Sequence, residues 1–475
     1  MKRILFFIVP IIVLVVGVYF FAPSKNHSKV LVIGIDGATW DIAQPMIDRG
    51  ELPTLKMLID SGISGHLASI DQPVVPAAWV SFATGQESGS TGVFDFLTPI
   101  SNSYDFRIIA PGELKTPALW ELIGNAGKKV GLINFLFYPA PVVNGFSISG
   151  ELTPADLLSE LADSTYPKSL NQELSAVGPY HIDAKKFEDP EGFLKSINTS
   201  LVERTNSAEY LVRTKKVDAS FVIFNETNRL QHFFWKYQDP RNSAYIPGNP
   251  YERAISDHYK ALDNAIKRLI AAADEDTRVL VFSNHGFGGL YKIVSINTWL
   301  QQQHLISFSP DLGQKYADIV NWHETQAFFP SQFQGIFINA TGRYPQGIVT
   351  ETQYETLRSH IIDRILTLRD PQTNALIVTK AERREDAYPG ANNASLPDII
   401  LTFAPGYHAS NEVGGALVRP STYWSGIHNQ DGMYILSHPE QKPTKRDAHI
   451  LDLAPTILQM LDIPIPKNLT GTPII

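Results

Sequence analysis

The sequence predicts an α/β protein with a doubly wound, mostly parallel sheet flanked by helices, and three observations carry this. From Lys29 onward, short apolar runs of strand length alternate with helical stretches, the pattern of βαβ units. Several runs, such as residues 29–37 and 277–283, are apolar without alternation and end at a glycine or polar pair, as strands covered on both faces do. Polar side chains then collect just past those runs: Asp36, Asn228 with His232, and Asn284 with His285. The carboxyl edge of an open α/β sheet is where such folds hold ligands.

A chain of 475 residues can bury a large core and has the length of two or more domains. The net charge of −8 and the lack of a long basic run argue against a nucleic-acid partner. There is no cysteine, so disulfides, thiolate metal sites and cysteine nucleophiles are excluded. Lys2 and Arg3 precede an apolar run over residues 4–22, long enough to span a bilayer. The two cations favour a cytoplasmic N-terminus. Residues 1–22 are therefore expected to be a transmembrane anchor, with the membrane as partner and the main domain outside the cytoplasm, periplasmic or extracellular. A cleaved signal peptide ending near Ala22 is the alternative. Residues 23–28 form a polar linker, and residues 29–475 the domain.

In order, residues 29–37 read as a buried strand with Asp36 at its end. Residues 40–61 read as a helical stretch broken at Pro45 and Pro53. Residues 115–128 read as a helix, and 130–135 and 146–150 as strands. Residues 153–217 turn helical without a glycine-rich site and read as an inserted cap. A strand over 219–226, a helix over 251–273 and a strong strand over 277–283 follow. Residues 299–329 are irregular and read as a second cap insertion. Strands near 334–339 and 396–403, a helix over 351–368 and a closing helix over 449–461 complete the chain. Strand lengths and the period of the apolar positions set these readings.

One stretch organises the rest: Ser69 to Gly85, S-I-D-Q-P-V-V-P-A-A-W-V-S-F-A-T-G. Pro76 suits the first helical turn, which puts Val75 at the N-cap. A side-chain oxygen at an N-cap satisfies free N–H groups, and the helix dipole there favours an anion. An isopropyl group stands where a hydroxyl could attack phosphorus. Ser69, Ser81 and Thr84 are nearby hydroxyls, but Ser81 and Thr84 lie one to two turns inside the helix. Among the other polar residues, His428 sits in a late glycine-flanked loop. Aspartates and histidines at one sheet edge are what a zinc or two-metal site needs, although a single His after a strand is more often a cap or core residue. Asp95 reads as a structural cap. Asp431 reads as a turn residue or as a partner orienting His428. Phe233, Phe234, Trp235 and Tyr237 read as pocket-wall packing.

From Lys29 to the end, the chain resembles the type I phosphodiesterase/nucleotide pyrophosphatase family of the alkaline phosphatase superfamily. The motifs that carry the resemblance are V-I-G-I-D-G, P-A-A-W-V-S-F-A-T-G with G-V-F-D-F, T-N-R-L-Q-H-F-F-W-K-Y-Q-D-P, S-N-H-G-F-G with I-N-T-W-L, P-D-I-I-L, S-G-I-H-N-Q-D-G and L-D-L-A-P-T-I-L. The resemblance implies an alkaline-phosphatase-like fold and a two-metal site, usually zinc, with a Thr or Ser that attacks phosphorus. It implies one metal on Asp36, the nucleophile and the positions of Asn284 and His285. It implies the other on the positions of Asn228, His232 and His428.

Three of these positions depart from the pattern: Val75 replaces the nucleophile, and Asn228 and Asn284 replace aspartates. Asp36, His232, His285 and His428 match. Neutral amides bring no charge to offset a dication's lost hydration. At most one divalent metal is expected, zinc or another, with reduced affinity and with Glu226 or water completing its shell; a chain holding none is the other outcome. The leading expectation is a membrane-anchored phosphodiesterase-like pseudoenzyme that binds a phosphorylated small molecule, lipid or glycan. The alternatives are an active phosphohydrolase using a one-metal site, and a scaffold whose pocket is closed.

Overall fold

The computed structural model describes residues 29–109, 114–153, 164–309, 316–330, 334–389, 396–437 and 442–475. The run over residues 4–22, expected as an anchor, lies outside the described residues. Among the described residues no helix is long and apolar enough to cross a membrane.

The first strand, β1 (Val30–Ile35), is buried at every position. Its side chains alternate between two cores. Leu31, Ile33 and Ile35 join one apolar cluster, while Val30 and Val32 join another on the opposite face, the period-2 consequence of strand geometry. Burying each such side chain is worth about 1.5–3 kcal/mol. After it come α1 (Trp40–Asp48), α2 (Pro53–Asp60), β2 (Gly62–Ala68), α3 (Val75–Thr84), α4 (Leu119–Asn125), β3 (Val130–Phe135) and β4 (Gly145–Ser149). The middle of the chain supplies α5 (Leu170–Val177), α6 (Pro190–Lys215), β5 (Ala219–Phe224), α7 (Glu226–Gln238), α8 (Ala254–Ala272), β6 (Arg278–Phe282), β7 (Gly286–Gly289) and β8 (Lys292–Ser295). The remainder supplies β9 (Gly335–Ile338), α9 (Glu351–Ile365), β10 (Val378–Arg383), β11 (Ile399–Phe403), β12 (Gly426–Asn429), β13 (Asp431–Ser437) and α10 (Leu453–Met460).

The central sheet runs β2-β13-β6-β1-β5-β3-β4. Strands β6, β1, β5, β3 and β4 are parallel, with Ile33 opposite Val222 on one side and Val281 on the other. Strand β13 is antiparallel to both β2 and β6. The sheet is thus mixed, with a parallel centre rather than parallel strands throughout. Helix α3 lies directly on β1: a Cβ on Gly34 would come within 2.6 Å of the Trp79 ring. That contact brings the start of α3 to the carboxyl end of β1, beside Asp36.

Four sequence expectations differ from the structure. Pro45 does not break α1 but sits inside it. It forfeits one backbone bond, and Ala43, Met46 and Ile47 hold the helix against the core. The helix expected over 115–128 is confined to α4, because Ala118 is extended and serves as its N-cap. The helical stretch read as a cap packs on the sheet where it is described. In α6 the residues Phe193, Ile197, Leu201, Ala208 and Leu211 recur at three- and four-residue spacing and join the main core, so α6 is a covering layer. The described part of 299–329 packs into a smaller, separate core that includes Trp299, Trp322, Phe328, Phe337, Ile361 and Leu401. Around it, β9, β10 and β11 pair antiparallel.

Candidate functional site

Helix α3 begins at Val75, with Val74 as an N-cap that makes no side-chain bond. The cap is one residue earlier than expected, so Val75 occupies the first helical position, and its side chain is buried. Neither valine offers an oxygen at the helix mouth. Ser69 Oγ donates to the Asn284 carbonyl at 2.6 Å, and Thr84 Oγ1 donates to the Val80 carbonyl. Ser81 is fully buried. Two residues before Val75, the Pro73 carbonyl accepts from His428 Nδ1 at 3.0 Å, which ties this loop to the histidines.

The structure brings Asp36, Asn284 and His285 together, and beside them Asn228, His232 and His428. In the second group, His428 Nδ1 faces the Pro73 carbonyl and His232 Nδ1 faces the Gly426 carbonyl at 2.9 Å. A carbonyl only accepts, so both Nδ1 atoms carry the hydrogen and both Nε2 atoms hold lone pairs. Those two Nε2 atoms are 3.0 Å apart, and Asn228 Oδ1 is 2.9 Å from that of His428. Three acceptors converge with no hydrogen among them. Two nitrogens on one zinc at about 2.0–2.1 Å would be about 3.3 Å apart at the tetrahedral angle. The group therefore fits one cation after a small expansion. Gly426 is required for this approach, since a Cβ there would lie 2.5 Å from the Gln231 carbonyl oxygen.

The first group is different. Asp36, Asn284 and His285 are fully buried, and His428 stacks over the His285 ring at 3.9 Å. His285 Nε2 lies 3.0 Å from Asp36 Oδ1, while its Nδ1 is 3.0 Å from the Gly286 carbonyl. The Gly37 N–H donates to Asn284 Oδ1 at 3.2 Å, and Gly37 holds φ +73°, a conformation suited to glycine. This bond occupies the Asn284 amide oxygen, and its Nδ2 finds no partner. His285 Nε2 and both Asp36 carboxylate oxygens are likewise buried without a hydrogen-bond partner, so this half sets acceptors beside the Asn284 donor, and the donor weakens its fit to a second dication. Among the described residues no cluster of three His, Cys, Asp or Glu side chains forms a metal site.

Burial depresses two of the site's histidines. His232 is pushed down to about 3 and His428 well below the ordinary value, in both cases chiefly by desolvation. Outside the site, His258 and His408 are each pushed down to about 4 by the same cause. Their folded values lie below the unfolded one. The unfolded chain thus binds more protons between about pH 4 and 6.5, and stability falls as pH drops through that window. Each of His258 and His408 is expected to contribute a slope of up to about 1.4 kcal/mol per pH unit there. Denaturant melts of His258→Gln between pH 4 and 7 check this; a slope identical to that of the unsubstituted chain would refute it.

Other expected roles are redirected. Glu226 does not complete the metal shell. It is buried beneath the site, where Arg204 donates to its Oε1, as does Ser200 Oγ at 3.0 Å. Asp431 does not orient His428 but is exposed and pairs with His66 at 2.6 Å. Asp95 accepts from the Phe96 N–H, and burial pushes its carboxyl up to about 7. Trp235 packs on Phe287, and its Nε1 donates to Asp239. Sequence reasoning missed Glu151, whose carboxyl burial pushes up to about 8, with further upward pushes from Asp36 and Asp183. Its place just past a strand at the carboxyl edge was the available signal. It also missed Arg204, Asp183 and Arg229, whose ion pairs join residues far apart in the chain.

A mixed α/β sheet gathers an aspartate, two amides and three histidines at its carboxyl edge, where such folds hold ligands. The chain belongs to the type I phosphodiesterase/nucleotide pyrophosphatase family, whose family model matches residues 30–431. The fold is similar to that of phosphonoacetate hydrolase from Sinorhizobium meliloti 1021 solved with phosphonoformate, at TM-score 0.60 and 13% identity, covering 92% of this chain and 95% of that one. It is also similar to murine ectonucleotide pyrophosphatase/phosphodiesterase 5, an inactive form of which was solved with AMP, at TM-score 0.55 and 14% identity, covering 93% and 97%. The human form of that protein matches at TM-score 0.55 and 14% identity, covering 94% and 97%. No curated protein is a significant match in sequence.

Proposed function

We propose that this chain is a membrane-anchored, extracytoplasmic member of its family that has lost hydrolysis and binds a phosphorylated ligand at the histidine pair. The observation that carries this is the Gly37–Asn284 bond, which occupies the amide oxygen and leaves the amide nitrogen, a donor, without a partner. Val75 adds to it, leaving no oxygen at the start of α3. Of the carboxylates at the positions the family uses for metal, Asp36 alone remains, too little to offset the hydration of two dications. His232, His428 and Asn228 would hold the one metal that fits, zinc by family habit. A metal there would supply positive charge for a phosphate oxygen. The apolar run after Lys2 and Arg3 supports the membrane location. Two neighbours in fold were solved with AMP and with phosphonoformate, which supports a phosphorus-bearing ligand.

Convergence of three acceptors also favours the second reading, a one-metal phosphohydrolase. The two separate on the purified full chain. The expected result is at most one zinc per chain, lost in His428→Ala, and no turnover of bis(p-nitrophenyl) phosphate. Two zinc ions per chain or a trapped phosphorylated side chain would overturn the first reading. Turnover abolished by His428→Ala would establish the second.

A further inference from the structure

We infer that a cleft along α6, apart from the histidine site, binds a small amphiphilic amine, its ammonium on Glu203 and Ser207 and its alkyl chain along Leu194, Val202 and Tyr251. The cleft has a volume of about 730 Å³, within the range that holds an organic ligand. It lies between α6, the end of α5 and the loop ahead of α8, and no residue of the histidine site lines it. Lys195, Thr199, Glu203 and Ser207 line it at four-residue spacing and so share one face of α6. That face is distinct from the stripe of Phe193, Ile197, Leu201 and Ala208, which packs into the core.

Floor and walls differ in chemistry. Glu203 is 8% and Ser207 1% exposed, whereas Val202 on the wall is 54% exposed. Ser207 Oγ is buried without a hydrogen-bond partner. The Glu203 carboxylate accepts from the His181 ring Nδ1 and from the His181 N–H at 3.2 Å, both at Oε2, which leaves Oε1 for a ligand. A carboxylate oxygen and a hydroxyl one helical turn apart are two acceptors, and an ammonium brings three donors. A neutral or anionic head would desolvate the Glu203 charge without pairing it, which costs binding. Lys195 at the exposed rim is offset by Glu191, also at the rim. Above the floor, Leu194, Val202 and the Tyr251 ring offer apolar surface to a chain of several carbons. The Tyr251 ring is held against Phe234 at 5.5 Å and Tyr237 at 5.0 Å, so this wall is in place before a ligand arrives.

The test is a ligand-detected NMR titration of the purified full chain with hexylammonium, hexanoate, hexanol and Nα-acetyl-lysine methylamide. The Val202→Trp chain is the blank, because a larger side chain at this exposed wall position fills the cleft without entering the core. Hexylammonium is expected to bind saturably and roughly tenfold more tightly than hexanoate or hexanol. Glu203→Gln, which keeps the shape and removes the charge, should weaken it roughly tenfold, and Ser207→Ala about threefold. Val202→Trp should abolish it. Hexanoate or hexanol binding as tightly as hexylammonium, tighter binding of the lysine derivative, or an affinity unchanged in Glu203→Gln or in Val202→Trp overturns the inference. Absence of saturable binding by every probe overturns it as well, and none of these outcomes bears on the histidine site.

Discussion

Val75→Thr, Asn228→Asp and Asn284→Asp, introduced together, are expected to raise bound zinc to two per chain and to produce phosphodiester hydrolysis above that of the unsubstituted chain. The electrostatics are simple. The site now has Asp36 as its carboxylate; the triple variant would have three and a hydroxyl at the helix mouth. At position 284 the geometry is already prepared. The Gly37 N–H donates to Oδ1, and a carboxylate would keep that bond and present its second oxygen where Nδ2 now points. At position 228, Oδ1 already lies 2.9 Å from His428 Nε2, so a carboxylate there adds charge without a new rotamer. Metal binding should raise the melting temperature in proportion to the logarithm of free zinc. Each single substitution should give less than the three together, because the groups share two cations and are not additive. Zinc content of one or less in the triple variant would show that the pocket itself has drifted from the family's geometry.

Arg204→Met is expected to destabilise the chain by about 3–5 kcal/mol and to abolish metal binding with it. Arg204 is fully buried and donates to Glu226, to Asn225 Oδ1 at 2.7 Å and to the Ile182 carbonyl at 2.6 Å. Glu226 is equally buried. Burial pushes its carboxyl up, and the guanidinium charge pulls it back. Removing Arg204 alone strands a buried acid at the first residue of α7, the helix that positions Asn228 and His232. Converting both partners, Arg204→Met with Glu226→Leu, should recover most of the loss, because the pair's own desolvation cost disappears too. Urea melts read the stability, and a loss under about 1 kcal/mol for Arg204→Met would refute the argument.

Much of the fold was legible in residue order. The strand at 29–37 contains β1, and the runs at 130–135, 146–150, 219–226 and 277–283 match β3, β4, β5 and β6 to within two residues, because strands covered on both faces are apolar throughout. Asp36, His232, His285 and His428 were legible as a set because they follow such strands or sit between glycines. The assignment of 153–217 as a cap failed for a physical reason. A helix that covers a sheet and a helix that covers a pocket bury the same kind of apolar stripe, and only the partner differs. Pro45 misled because a proline costs a helix one bond, which packing of Met46 and Ile47 can outweigh.

Residue types alone determined the departures from the family's motifs: no oxygen at Val75 and no charge at Asn228 or Asn284, since a side chain's chemistry does not depend on where the chain carries it. Direction was decided by the tertiary structure. The Gly37 N–H chooses which end of the Asn284 amide enters the site, and the carbonyls of Pro73 and Gly426 choose which imidazole nitrogens of His428 and His232 remain free to accept. Each of those partners lies between 194 and 355 residues away in the chain, and hydrogen-bond direction is set by what folding brings within 3 Å or so, which no local pattern of residues encodes.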